Sequence, residues 1–376
     1  MVSRNTTAKA GRVAGKANDS KNVGSGNQND KDLLLSFYEE MVFIRHFELK
    51  ASEMYQKARI GGYCHLNLGE EATVVGMMRA TQTQDYLFTT YREHGYAIGK
   101  GSDPNRVMAE LFGKADGVSR GWGGSMHLFD SETHLMGGYG IVGGQIPPAT
   151  GAALAISYKN DPSPDSPIVV CIMGDGTTNI GAFHESLNIA AVWKLPIVYV
   201  IVNNFLGMGT SVDMASGEPE LYKRGASYRI DGIRINGEDP LEVYDTCLKT
   251  FKAAREEHRP FLIEAMSHRL KGHSVVDPAK YRSAEEVKVA EQHDPIPLLE
   301  KKLTELGHLK AHDIALIAAK AKERVKEAAD FAEQSPNPDI GQLFSNVYSK
   351  KPANDFCRLP GEPLFDEHSF DTVTER

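Results

Sequence analysis

Cysteine is scarce in this chain of 376 residues: Cys64, Cys171, Cys247 and Cys357 are all it has, and no two form a CxxC pair. That usage reads as a reducing compartment and excludes a disulfide framework. Basic charge is short as well. There are 42 Lys and Arg against 50 Asp and Glu, a formal net charge of -8, so a broadly basic nucleic-acid-binding surface is not expected. No segment reaches the run of about 18 apolar residues that a membrane-spanning helix needs. Residues 1–30 have almost no large apolar side chain. Such a segment cannot offset its ordering entropy by burial, and it is expected to be a disordered polar tail. It has no apolar core of the secretory-signal kind. Its glycines, asparagines and two aspartates favour a plain cytoplasmic tail, with a mitochondrial presequence as the alternative. No internal repeat is evident.

What remains is an ordinary globular composition, 41% apolar and 24% charged. The length suits one large domain or two modest ones. Helical spacing of Leu35, Tyr38, Met41, Val42 and Ile44 predicts a long first helix that starts near Lys31 and ends at Gly61-Gly62. A shorter helix follows in EEATVVGMMRAT, and DYLFTTYREHGYAIGKG reads as an extended segment and a glycine-bounded loop. PNRVMAELFGK is a helix with Pro104 at its first turn. Residues 113–151 are crowded with glycine, which costs backbone entropy. The embedded Trp122, Met126, Phe129 and Tyr139 favour a close approach of backbone to a ligand or partner over a plain linker.

From residue 150 the rhythm is α/β: helix TGAALAISYK, strand PIVVCIMG, helix FHESLNIAAVWK, strand PIVYVIVNN, then a further helix and strand in LEVYDTCLKTFKAAREEH and PFLIEAMSHR. Strands apolar on both faces belong inside a mostly parallel sheet flanked by helices. After Pro278 the chain is mostly helical and charged. The expected organisation is a polar tail over 1–30, one α/β domain with N-terminal and C-terminal helical extensions over 31–345, and an irregular tail over 346–376.

The chemistry concentrates in CIMGDGTTNIGAFHESLNIAAVWKLPIVYVIVNNFLGMG, Cys171 to Gly209. Asp175 and Asn204 each follow an apolar strand, and one helix lies between the strands. Carboxyl ends of parallel strands face one side, where open α/β sheets bind ligands. A charged and a neutral oxygen ligand converging there suit a hard cation such as Mg²⁺, and Gly174 and Gly176 expose backbone N–H groups to an anion. A GDG by itself is common in turns. A GDG with NN after a second apolar strand is far more specific, and it resembles the thiamine diphosphate-binding motif. That resemblance implies Mg²⁺ held by Asp175, Asn204 and the carbonyl of Leu206. GDGTTNIG lacks the GxGxxG spacing of a nicotinamide-binding turn.

The likeness is wider than the motif. GGYCHLNLGEEA, TTYREHG, GGSMH, GIVGGQIP, NNFLGMGTS and HRLKGHSVVDP together make residues 35–345 similar to the alpha subunits of thiamine diphosphate-dependent 2-oxo acid dehydrogenases, most of all the pyruvate type. The family resemblance implies that Tyr91 and Arg92 hold the diphosphate, that Gly140 and Val142 clasp the aminopyrimidine, and that Gly174, Gly176 and Thr177 form the diphosphate turn. It implies His273 near the diphosphate and reacting centre, with His65 on the substrate side, both as catalytic proton carriers. His94 is equally readable as a residue that shapes its loop. The glutamate that activates the cofactor comes, in this family, from a separate beta subunit, so an alpha-two beta-two heterotetramer is implied. The acyl acceptor is the lipoyl domain of an acyltransferase. Lys271 stands where the pyruvate type has histidine, which keeps a branched-chain 2-oxo acid or acetoin as alternative substrates. A non-catalytic subunit of the same fold is a further alternative. Ser211 and Ser274 occupy regulatory serine positions of animal relatives, whereas Lys280 occupies the third.

Overall fold

The computed structural model describes residues 28–159 and 161–343. The expected tail, as far as residue 27, and the expected C-terminal tail lie outside the described residues.

Six strands form one parallel sheet: β1 (Tyr86–Thr90), β2 (Leu135–Tyr139), β3 (Val169–Gly174), β4 (Ile197–Asn203), β7 (Asp231–Asn236) and β8 (Phe261–Met266), in the order β2-β1-β3-β4-β8-β7. A two-stranded antiparallel ribbon, β5 (Leu206–Gly207) and β6 (Thr210–Ser211), projects beyond the end of β4. The apolar runs in the middle strands have no polar alternation because both faces are covered. Val170, Ile172, Val198, Val200 and Ile263 join a core with α1 (Gln28–Gln56), α2 (Glu71–Ala80) and α8 (Pro240–Glu257). Their neighbours Val169, Cys171, Met173, Ile197, Tyr199 and Ile201 join a second core with α5 (Ile146–Lys159) and α6 (Gly181–Trp193). Side chains alternate across a strand, so two buried faces require apolar residues at every position.

Other helices complete the first layer: α3 (His94–Lys100), α4 (Pro104–Leu111), α10 (Pro295–Glu305) and α11 (Ala311–Gln334), while α7 (Val212–Ala215) and α9 (Ala284–Gln292) lie outside it. No helix among the described residues is long and apolar enough to cross a membrane.

Four local expectations are corrected. The glycine-bounded loop after β1 is helix α3, with Gly101 at φ 111° providing its left-handed end; glycine terminates the element here without preventing it. Helix α1 begins at Gln28, ahead of Lys31, and stops at Gln56, before the glycines; Ala58 already has a left-handed φ of 57°. Helix α5 starts at Ile146, because Pro147 and Pro148 fall in its first turn, where their missing N–H groups have no helical partner to lose. The glycine-rich region also contains strand β2, whose LMGGY sequence carries little strand signal.

The first part of that region is organised by one carboxylate. Glu110, fully buried on α4, accepts from the backbone N–H groups of Ser119 (2.8 Å), Gly121 (2.8 Å), Gly123 (2.8 Å) and Gly124 (3.1 Å). A Cβ on Gly117 would lie 2.2 Å from the Glu110 carboxylate, so glycine is needed for this close wrapping. Glu110→Ala strands these donors together. It is expected to lower unfolding free energy by about 3 kcal/mol or more, given about 1–3 kcal/mol for each buried unsatisfied group. Denaturant titration of the assembled protein measures it, and a loss under about 1 kcal/mol would refute the organising role.

Candidate active site

Strand order reverses between β1 and β3: the chain goes from β1 outward to β2 and then returns to β3 on the other side. At such a switch point the connections diverge and leave a crevice beyond the carboxyl ends. A cleft of about 730 Å³ occupies that place. His65, Tyr91, Arg92, Gly140, Val142, Gly174, Asp175, Gly176, Thr177, Asn204, Leu206 and His273 all line it.

The near-level register of β3, β4 and β8 pairs Gly174 with Val202 and Asn203 with Met266. The turns that follow therefore start at the same height. A Cβ on Gly207 would lie 3.9 Å from Asp175 Oδ2, and one on Gly176 would lie 3.7 Å from the Cα of Gly207. The GDG turn and the NN loop thus touch. Within the NN pair the two asparagines divide the work. Asn203 Nδ2 donates to Glu264 at 2.7 Å, and its Oδ1 accepts from the N–H of Phe205 at 3.0 Å, which fixes the turn. Asn204 lines the cleft; its Nδ2 donates to Glu70 at 2.9 Å, and its buried Oδ1 has no partner.

Asp175 is 5% exposed, and burial pushes its carboxyl up to about 6 despite the nearby Arg269 guanidinium. A buried carboxyl with raised pKa beside an unpartnered amide oxygen is suited to a cation that supplies the missing positive charge. The residues present fit Mg²⁺ on this ground. The Leu206 carbonyl accepts from Arg269 at 3.3 Å, which leaves its second lone pair. Further unpartnered buried atoms line the same cleft: His65 Nδ1, Gln145 Oε1 and the Tyr96 hydroxyl. An orphaned buried polar atom costs about 1–3 kcal/mol, so their gathering in one cleft marks a place prepared for a polar ligand.

Two arginines brace the cleft. Arg92 donates to the carbonyl of Leu66 and, at 3.0 Å, to that of His273, and stands 3.8 Å from Glu70. Its donors tie the end of β1 to the His273 loop. Arg269 donates to the carbonyls of Leu206 and Met208 (3.0 Å) and to the Tyr281 hydroxyl (2.9 Å). Neither Arg269 nor Glu70 stood out in the sequence, although Arg269 sits just past the end of β8 and the strand-end rule that marked Asp175 also covers it. Gln145 lies within GIVGGQIP, but neither it nor Tyr96 stood out there as a site residue. His94 is fully buried between Glu48 (2.9 Å) and the Ser125 hydroxyl (2.9 Å), so it shapes the fold beside the cleft.

His65, Tyr91 and His273 form an aromatic cluster. The His65 ring centroid lies 4.3 Å from Tyr91 and 5.0 Å from His273, the latter edge-on. Burial, then Arg92 and His273, holds His65 down to about 3; burial, then Arg92 and Arg269, holds His273 down to about 4. Both imidazoles are therefore neutral at pH 7 and hold an added proton only weakly. Their folded-state values lie below the ordinary 6.5, so the unfolded chain binds more protons between pH 6.5 and about 4. The imidazoles' contribution to stability should fall as pH drops through that window, while the raised Asp175 carboxyl contributes in the opposite sense between about 6 and 3.8. Melting temperatures across it should decline less steeply in His65→Gln than in the parent; parallel curves would refute the depressed imidazole.

Residues 39–341 match the family described as "Dehydrogenase E1 component". "Pyruvate dehydrogenase E1 component subunit alpha" of Rhizobium meliloti (strain 1021) is 41% identical over 314 residues, covering 83% of this chain and 89% of that protein. The protein of the same name from Zymomonas mobilis is 42% identical over 320 residues, 85% of this chain and 89% of its own length. "Pyruvate dehydrogenase E1 component subunit alpha-3, chloroplastic" of Oryza sativa is 39% identical over 84% of this chain and 75% of that protein. By family match and by similarity along most of its length, this chain belongs to the dehydrogenase E1 component family.

Proposed function

We propose that this chain is the alpha subunit of the decarboxylating component of a pyruvate dehydrogenase complex. It would act on pyruvate with thiamine diphosphate and Mg²⁺ and pass the acetyl unit to the lipoyl group of an acyltransferase. The observation that carries the reading is the pairing of Asp175 with the orphaned Asn204 oxygen at adjoining strand ends, inside a cleft with further unpaired polar atoms. Asp175, Asn204 and the Leu206 carbonyl would hold Mg²⁺. Gly174, Gly176 and Thr177 would face the diphosphate with backbone N–H groups, while Tyr91 and the braced Arg92 would flank it. Gly140 and Val142, on the turn between β2 and α5, would contact the aminopyrimidine. When bound, thiamine diphosphate would supply a cationic thiazolium ring that takes up the electron pair released as carbon dioxide departs.

The chain's own residues supply the setting. His65 and His273, neutral at pH 7, are the proton carriers beside the reacting centre. His65 Nδ1 has no hydrogen-bond partner to displace, whereas His273 Nδ1 faces the Arg269 guanidinium at 3.4 Å. The positive charge of Arg92 and Arg269 opposes lasting protonation of either ring, so an accepted proton is readily returned. The partner is a beta subunit in an alpha-two beta-two heterotetramer. Support comes from large apolar side chains left exposed in the cleft lining: Met208 (64%), Tyr63 (60%) and Val276 (57%). Apolar exposure of this kind at a ligand cleft suits a covering protein surface.

Two measurements test the reading. Asp175→Ala and Asn204→Ala should each weaken Mg²⁺-dependent thiamine diphosphate binding to the assembled enzyme by at least about 100-fold, since losing even an outer-shell partner costs about 10–100-fold in metal affinity. Calorimetric titration reads this, and parental affinity in both variants would sink the site assignment. With the beta subunit present, pyruvate should be decarboxylated faster than branched 2-oxo acids at equal concentration. A branched-chain preference in steady-state rates would overturn the substrate and direct attention to Lys271.

A further inference from the structure

A second cluster of metal-ligating side chains lies behind the NN loop, and none of its three side chains lines the cleft. Glu238, 7% exposed, precedes α8; His268 follows β8; His293 ends α9. One ligand atom from each lies within 4.8 Å of the other two. His268 Nδ1 stands 2.5 Å from Glu238 Oε1, and His293 Nδ1 stands 2.7 Å from Oε2, so each imidazole addresses its own carboxylate oxygen. The rings stack with centroids 4.3 Å apart and planes 21° from parallel.

A two-histidine clamp held by protons would satisfy these distances. It does not require both rings to be aligned face to face with the same nitrogen turned to the same carboxylate. We propose that Glu238, His268 and His293 bind a transition-metal dication of the zinc class, at a site separate from Asp175 and Asn204. Two imidazoles and one carboxylate are a donor set that selects zinc or cobalt over the hard cations Mg²⁺ and Ca²⁺. The metal takes the place of the protons between the Nδ1 atoms and the carboxylate. Tetrahedral coordination at about 2.0–2.1 Å puts neighbouring donors about 3.3 Å apart, so the rings move outward by roughly 0.6–0.8 Å on binding. His293 is half exposed, which leaves an entry path and room for a water as fourth ligand.

The site has a mechanical link to the cleft. The His268 ring lies 4.8 Å from that of Phe205, next to Asn204, and His268 is followed directly by Arg269. A filled site cross-links α9, the start of α8 and the loop after β8, and so stiffens the segment from which Arg269 holds the Leu206 and Met208 carbonyls.

The test uses untagged full-length chain assembled with its beta subunit, in excess Mg²⁺ and thiamine diphosphate so that the cleft is filled. Zn²⁺ is added, the protein is desalted and bound metal is measured; Co²⁺ replaces Zn²⁺ in a parallel sample read by visible absorption. The parent should retain one equivalent of zinc per chain and show the intense visible bands of four-coordinate cobalt. His268→Gln and His293→Gln, each confirmed as assembled by gel filtration, should weaken zinc binding at least tenfold, while Asp175→Asn should retain the equivalent. Zinc not held by the parent, held equally by either histidine variant, or lost in Asp175→Asn would each overturn the site.

Discussion

Burial of the central strands on both faces is the constraint from which the site follows. β3, β4 and β8 pair in parallel with near-level register, and each strand is apolar at nearly every position because alternate side chains enter different cores. Once a parallel sheet is sandwiched in this way, its carboxyl ends are the edge at which loops can carry polar side chains without burying them in a core. Asp175, Asn204 and Arg269 are brought together by strand ends, not by closeness in the chain.

A set of buried polar contacts then fixes the loops. Glu264, fully buried on β8, accepts from Asn203, from Arg234 and from the N–H of Tyr222. Glu110 gathers the glycine-rich N–H groups, Glu48 takes His94, and Arg255 pairs with Asp85 at 2.8 Å. Each of these groups would be costly if left unpaired in a low-dielectric interior, so each specifies one loop conformation. The cleft is the contrasting place. There Asn204, Gln145, Tyr96 and His65 keep polar atoms without partners. Satisfied polar groups build the frame, while four of the eight unpartnered buried side-chain atoms among the described residues belong to residues of this one cleft.

The electrostatics of the cleft follow from the same economy of contacts. Arg92 and Arg269 are spent largely on backbone carbonyls, so they act as struts whose charge still reaches the centre. That charge, added to burial, holds both imidazoles neutral. The opposite effect is seen at Asp175, where burial outweighs Arg269 and raises the carboxyl.

The elements of strongest pattern were readable from the chain alone. Uniform apolar runs at PIVVCIMG and PIVYVIVNN announced buried parallel strands, and Asp175 and Asn204 at their ends announced the site, because a polar residue directly after such a run has only the sheet edge to occupy. The sequence was weaker where glycine carried two meanings: LMGGY is a strand and HGYAIGK a helix, since tertiary packing outweighs the small local preferences involved. Which polar residues are partners became visible in the folded arrangement alone. Glu110 with its ring of N–H groups, Arg269 with the Leu206 and Met208 carbonyls, and Glu70 with Asn204 are separated by up to 134 positions in the chain. No local spacing encodes such pairs. They exist because the sheet order sets those loops side by side, and a buried polar group must find whatever partner that order provides.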